Sequence, residues 1–255
     1  MRFFLEEAAA VGDEVSLNPT DSYHLSRVLR RRPGALIELV SANRVYTAEI
    51  LSVDDAVRVR LLAELAAYSE APLELILLQG LAKGERMEIV LQKAVELGAA
   101  KIVPVACERS VVRLTEDKAA AKTARWQKIA DAAAKQCGRT RLVEVAPVQG
   151  LAEALAQLPA DCRIIMPWEE ADGRQVGCSL RQALRDGLPG EDLAPPRTAA
   201  LIIGPEGGLT EQEAALAKDR GASLVTLGRR ILRTETAAIA AMSIIMYVWG
   251  DLSGE

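Results

Sequence analysis

The chain has 255 residues, of which 50% are hydrophobic and 26% charged, with a formal net charge of -4. This composition excludes a disordered or fibrous protein, and at about 100–200 residues per domain the length allows one large domain or two modest ones. Taken at face value, the acidic balance argues against a nucleic-acid partner. A single histidine, His24, excludes a metal site built on several imidazoles. Cys107, Cys137, Cys162 and Cys178 match no Cys-x-x-Cys spacing and read as buried thiols of a cytosolic protein. The first ten residues contain no signal-peptide core. The longest apolar run, 237–249, is shorter than the about 20 residues that span a bilayer, so it reads as a buried helix. A cytoplasmic protein without metal or membrane anchor is expected.

Residues 1–70 carry short stretches with period-two alternation at 35–40, 44–51 and 56–65, the mark of half-buried antiparallel strands. A helix over 20–31 interrupts them, capped by Thr20 or Asp21, with Leu25, Val28 and Leu29 as its apolar stripe and Pro33-Gly34 as its stop. This predicts a small β-barrel-type module, followed by a linker at 66–72. The rhythm changes at Leu73. Residues 73–79 form a continuous apolar strand, 85–97 a helix with Met87, Val90, Leu91, Ala94 and Val95 inward and Gly98 at its C-cap, and 101–105 a second strand. That is a β-α-β unit. A long helix over 116–137 has Trp126, Ile129 and Ala133 as its stripe. Short apolar strands follow at 142–147, 163–168, 199–204 and 223–228. Strands alternating with helices predict an α/β fold with a mainly parallel sheet over 73–252. Between Trp168 and Thr198 lies a Gly/Pro/acid-rich insertion, expected as a surface loop around a short helix at 180–184.

Three features could carry chemistry. In the first, a buried strand runs into Gly204-Pro205-Glu206-Gly207-Gly208, and a helix starts near Thr210, where Thr210 and Glu213 have capping-box spacing. Adjacent glycines permit close approach of a ligand at a strand's carboxyl end, although a plain strand-to-helix turn fits equally. The loop is neither a phosphate-binding P-loop nor a dinucleotide fingerprint. In the second, a strand ends at Leu227-Gly228, and Arg229, Arg230 and Arg233 precede a final helix with Thr234 as its expected N-cap. Backbone N–H groups there favour anions; the alternative is a solvated loop. The two loops would lie side by side if their strands are neighbours. The third feature is local charge: residues 101–143 hold ten Lys+Arg against four acids, and Arg27, Arg30, Arg31 and Arg32 add a second cluster. Arg27 and Arg31, four apart, would share a helix face. A solvated face is the alternative for each run.

Together, His24-Leu25 with Val28-Leu29-Arg30, Lys83 to Met87, Gln92 to Gly98, Glu108-Arg109-Ser110, Gln136 to Arg139, Gly204 to Gly208 and Ile231 to Ala237 resemble the RsmE family. These are bacterial 16S rRNA (uracil-N3)-methyltransferases of the SPOUT superfamily. The resemblance covers nearly the whole chain in order. It implies an N-terminal PUA-like RNA-binding barrel (1–70) and a C-terminal α/β domain (73–252) with a deep trefoil knot. It also implies S-adenosylmethionine (SAM) as methyl donor, a homodimer, and a uridine at position 1498 of 16S rRNA in the small ribosomal subunit as target. SAM would be held by Met166, Pro167 and Trp168, by Gly204, Pro205, Glu206, Gly207 and Gly208, and by Leu227, Gly228, Ile231 and Leu232. Arg233 would offset negative charge developing on uracil, and Glu206 or Glu235 would accept the N3 proton, the alternative for each carboxylate being to organise its loop or helix start. His24, Arg27, Arg30, Arg31, Arg109 and Arg139 would meet RNA. Rival readings are a SPOUT enzyme with another nucleotide target, a non-catalytic RNA-binding assembly factor, and a nucleotide-phosphate enzyme.

Overall fold

The computed structural model describes residues 1–66, 69–169, 178–186 and 195–254. The chain separates into two compact units, Met1–Glu70 with Ala134–Leu142, and Ala71–Ala133 with Val143–Glu255. Part of the expected linker (67–68) and most of the expected surface loop (170–177 and 187–194) lie outside the described residues.

In the first unit the strands are β1 (Arg2–Phe4), β2 (Glu14–Ser16), β3 (Leu36–Ser41), β4 (Arg44–Val53) and β5 (Val57–Leu65). They form one sheet in the order β1-β3-β4-β5-β2. β3, β4 and β5 are the three alternating stretches, paired antiparallel. β1 and β2 have three residues each, too few to display a period. Leu39, Ala48, Ile50, Val59 and Leu61 turn inward to pack with Phe3, Leu17 and Leu25.

The helix of this unit departs from its pattern. α1 spans only Pro19–Tyr23, and its cap is Asn18, whose side chain accepts from the Asp21 N–H at 2.9 Å. Thr20 and Asp21 therefore lie inside the helix. Asp21 is buried and pairs with Lys135. A π-turn over His24–Val28 follows, Arg30 is left-handed at φ 51°, and the Arg31 N–H closes back on the Leu25 carbonyl at 2.9 Å. The wide turn and the reversal at Arg30 break the expected stripe. Leu25 is buried, but Val28 and Leu29 are 57% and 40% exposed. Arg27 and Arg31 are both exposed, yet they do not share a regular helical face.

The second unit contains β6 (Glu74–Gly80), β7 (Ala99–Val105), β8 (Glu144–Val145), β9 (Arg163–Pro167), β10 (Cys178–Ser179), β11 (Thr198–Ile203) and β12 (Ser223–Thr226). Its helices are α2 (Glu85–Glu96), α3 (Glu116–Cys137), α4 (Leu151–Ala156), α5 (Leu180–Asp186), α6 (Glu211–Asp219) and α7 (Thr234–Trp249), with the last turn of α3 grouped in the first unit. All strand pairs are parallel, in the order β10-β12-β9-β11-β6-β7-β8. Leu78, Val103, Met166, Ala200, Ile202 and Leu224 pack with α4 and α6. The residues between them, such as Leu77, Ile102, Ile165 and Leu201, are also buried, so they face the opposite side. There α2 and α7 pack on the sheet and on each other. Burial on both faces explains the continuous apolar strands.

On α3 the buried positions are Trp126, Ala130, Ala133 and Ala134, while Ile129 is half-buried. Lys118, Lys122, Arg125 and Lys128 are exposed. Among the described helices none is long and apolar enough to cross a membrane. Of the four thiols only Cys107 is buried; Cys137 is exposed, and Cys162 and Cys178 are half-buried. Burial, with Glu213 nearby, pushes the Cys107 thiol up to about 12, so it stays protonated and unreactive near neutrality.

Glu70 ties residues 134–142 into the first unit. Its carboxylate accepts from Arg139 Nη2 at 2.6 Å, the Thr140 N–H at 2.8 Å and Arg141 Nε at 3.1 Å. Arg139 is only 4% exposed, so it serves this internal pair and does not reach a solvent-borne RNA. Burial pushes the Glu70 carboxyl up, but Arg139, Thr140 and Arg141 outweigh it and hold it below 4.5. A depressed folded value stabilises the protein above pH 4.5 and ceases to do so as pH falls through the lower folded value. Glu70→Ala should destabilise the chain by about 3 kcal/mol at pH 7, because it removes the carboxylate that faces a buried guanidinium. In urea titrations that deficit should shrink as the pH falls below 4.5.

Candidate active site

The carboxyl ends of parallel strands are where α/β sheets bind ligands. β12, β9 and β11 are consecutive in the sheet, so β11 and β12 are not direct neighbours as the two-loop expectation required. β9 stands between them and contributes a third, middle loop. The loops at the ends of the three strands enclose a cavity of about 340 Å³, within the usual range for small-molecule sites.

Most of the residues expected around a cofactor meet there. Pro167 and Trp168 come from the β9 end, Gly204, Pro205, Glu206 and Gly208 from the β11 end, and Leu227, Gly228, Ile231, Leu232 and Arg233 from the β12 end. Met166 and Gly207 do not line the cavity. Met166 is 0% exposed, in the core between sheet and α4–α6. Gly207 faces the chain at Arg109, where a Cβ would come within 2.6 Å of the Arg109 carbonyl oxygen. Arg109 thus braces the glycine loop through its backbone and keeps its side chain exposed. The sequence reading missed Arg86, which also lines the cavity. It sits in the first turn of α2, just past β6, the other neighbour of β11. Applying the strand-end rule to β6 would have found it.

Side-chain hydrogen bonds fix the loops. Gln79 is fully buried, and its Nε2 donates to Thr234 Oγ1 at 2.9 Å. That hydroxyl donates to the Gly204 carbonyl at 2.7 Å. Thr234 was expected as N-cap, but Arg233 occupies that position and makes no side-chain cap. The Thr234 hydroxyl is used across the site. A Cβ on Gly80 would lie 2.5 Å from Pro205 N, so only glycine lets β6 pass this loop. The Thr210–Glu213 capping box forms as the spacing predicts, and Glu213 also accepts from the Glu108 N–H at 2.9 Å. Trp168 Nε1 donates to the Leu209 carbonyl at 3.3 Å.

The charges divide into fixed and free. Glu206 Oε1 accepts from the Lys83 N–H and from Arg86 Nη1, each at 2.9 Å. Burial pushes this carboxyl up, but the Lys83 N–H, its own N–H and Arg86 together hold it below the usual carboxylate value. A carboxylate so stabilised is a weak proton acceptor, so Glu206 acts as the tie between α2 and the glycine loop, and the proton-accepting role proposed for it is withdrawn. Glu235 differs: its Oε1 lies 3.9 Å from Arg86 Nε, and its Oε2 is buried without a hydrogen-bond partner. Arg229, Arg230 and Arg233 are exposed at the start of α7.

Thr234→Val should leave Gln79 Nε2 without its side-chain acceptor and the Gly204 carbonyl without its donor. The expected loss is about 2 kcal/mol by denaturant unfolding, with a weaker cavity ligand as its second sign in calorimetry.

Residues 69–246 match the family model described as RNA methyltransferase domain. The ribosomal RNA small subunit methyltransferase E of Bacillus subtilis is 32% identical over 100% of this chain and 99% of its own. The crystal structure of a ribosomal RNA small subunit methyltransferase E from Neisseria gonorrhoeae, bound to S-adenosyl methionine, is 38% identical, covers 98% of both chains and superposes with a TM-score of 0.84. A Legionella pneumophila methyltransferase in complex with SAM is 35% identical over 98% of both chains, also with a TM-score of 0.84. Sequence identity over the whole length and a shared fold agree with the motifs, and the chain belongs to the ribosomal RNA small subunit methyltransferase E (RsmE) family.

Proposed function

We propose that this chain transfers a methyl group from SAM to N3 of the uridine at position 1498 of 16S rRNA. The observation that carries this reading is the three-loop cavity at the β12, β9 and β11 ends, in a fold shared with relatives solved with SAM. The cavity fits the cofactor. Its volume suits a nucleoside-sized ligand, Leu227, Ile231 and Leu232 offer apolar walls, and the loop backbones supply hydrogen-bonding groups. When bound, SAM supplies an electrophilic methyl on a sulfonium, and the N3–C bond forms as the C–S bond breaks with its electron pair left on sulfur. The protein aligns the acceptor and eases loss of the N3 proton. Arg233, at the cavity and at the α7 N-terminus, adds positive potential where the ring becomes negative.

The same reading makes the C-terminal fold a trefoil knot and the first unit PUA-like. In support, the chain leaves β12 near one sheet edge and returns as α7 against α2 and β11, near the middle of the sheet. The active species is a homodimer. Opposite its buried Met242 and Met246, α7 exposes Ile244, Tyr247 and Val248, an apolar face suited to a second copy. RNA docks on the first unit through Arg27, Arg30 and Arg31, beside the exposed Tyr23, Val28 and Leu29 and the half-buried His24. Arg109 is an additional exposed cation for RNA on the second unit. The enzyme works in the cytoplasm, where small subunits are made.

Incubation with SAM and small ribosomal subunits should yield 3-methyluridine by nucleoside mass spectrometry; a ribose-methylated product would replace the N3 assignment. Charge reversal at Arg27 and Arg31 together should weaken subunit binding and flatten its salt dependence, with SAM affinity unchanged. Arg233→Ala should slow single-turnover methylation while SAM still binds in calorimetry.

A further inference from the structure

Among the described residues, Arg86 is the cavity cation that carboxylates hold in place. Its Nη1 donates to Glu206 Oε1 at 2.9 Å, and its Nε faces Glu235 Oε1 at 3.9 Å. No described carboxylate lies within ion-pair distance of Arg229, Arg230 or Arg233. Resting on the methyltransferase reading above, the geometry points to Arg86 as a catalytic residue that donates to a uracil carbonyl oxygen as N3 loses its proton, with Glu235 as the residue that positions it.

The chemistry requires such a donor. Methylation at N3 needs that nitrogen's electron pair. When the N3–H bond breaks, the proton passes to water and the pair stays on the ring, spread onto O2 and O4. A preorganised cation beside either oxygen stabilises this anion before the new bond forms. Arg86 projects from the first turn of a regular helix, so its origin is rigid. Glu206 is itself fixed by the Lys83 N–H, so the clamp does not drift. A guanidinium has five N–H donors, and Glu206 uses one. Glu235 carries a buried oxygen with no donor, directly behind the guanidinium. A small rotation of Arg86 toward Glu235 closes the 3.9 Å gap and leaves other N–H groups for the cavity. On the cavity wall Arg86, Arg229, Arg230 and Arg233 outnumber Glu169 and Glu206, so the field there favours an anionic ring. Arg233, at the N-terminus of α7, adds to that field, whereas Arg86 is the cation that carboxylates hold in one place.

The test is single-turnover methylation of small subunits as a function of pH, for the wild type, Arg86→Gln, Arg86→Lys and Glu235→Gln, with SAM affinity by calorimetry and unfolding midpoints alongside. For Arg86→Gln the rate should fall about 10²–10³-fold, and the pH at which it levels off should rise by about one unit. SAM affinity should not change. Subunits carrying the more acidic 5-fluorouridine at the target should restore much of the lost rate in this variant and change the wild type little. Arg86→Lys keeps a charge without the planar fork and should fall between the two. Glu235→Gln should lower kcat about tenfold at constant KM. An unshifted pH profile in Arg86→Gln with no 5-fluorouridine rescue overturns the assignment, as does a loss of SAM affinity that matches the loss of rate. Should Arg86→Gln not fold, an unshifted profile in both Arg86→Lys and Glu235→Gln overturns it equally. A wild type that transfers no methyl group overturns the functional reading itself, a result distinct from any variant pattern.

Discussion

One hydroxyl group joins the parts of the site. Thr234 Oγ1 accepts from Gln79 on β6 and donates to the Gly204 carbonyl at the end of β11, and it stands at the first turn of α7. Two strands and a helix are thereby held at fixed distances. The walls of the cavity are loops, which on their own would move; their ends are locked by a buried side chain that cannot find water instead. The glycines follow from the same constraint. Gly80 and Gly207 occur where backbone meets backbone too closely for a Cβ.

Strands β3 to β7, β9, β11 and β12 were legible because alternation and continuous apolar runs are direct consequences of one-sided and two-sided burial. The Thr210–Glu213 box was legible because its chemistry is local. What failed was non-local. Asp21, read from the sequence as a cap, is instead drawn inward to Lys135, more than a hundred residues away, and the cap falls to Asn18. The Glu70–Arg139 pair removes from the surface an arginine that reads as exposed. Strand order is equally invisible in a linear pattern, so the middle position of β9 emerged only from the fold, although the resemblance had already placed its loop at the site. Arg86 was overlooked because its motif announces a helix start and gives no sign of which cavity that start adjoins.

The net charge of -4 is a poor guide to partners. Some acids are committed to arginines within the fold: Glu14 to Arg58 and Arg60, Glu70 to Arg139 and Arg141, Glu206 to Arg86. Many of the cations that remain exposed, among them Arg27, Arg30, Arg31, Lys118, Lys122 and Lys128, lie on a few short segments. Local potential, which attracts phosphates over about a Debye length, follows this distribution and not the total.

The pairing of β6 with β11 joins residues 74–80 to residues 198–203 at the centre of the sheet. Closing so long a loop is entropically costly. β6, α2 and β7 can collapse early as a local unit, but they do so with the β11 side of β6 unpaired. Until β11 pairs, that edge of β6 is a bare apolar strand edge, the kind that invites pairing with another chain. The cavity is complete only when β12 and α7 are in place, so a ligand bound there stabilises only those forms of the chain in which both have docked.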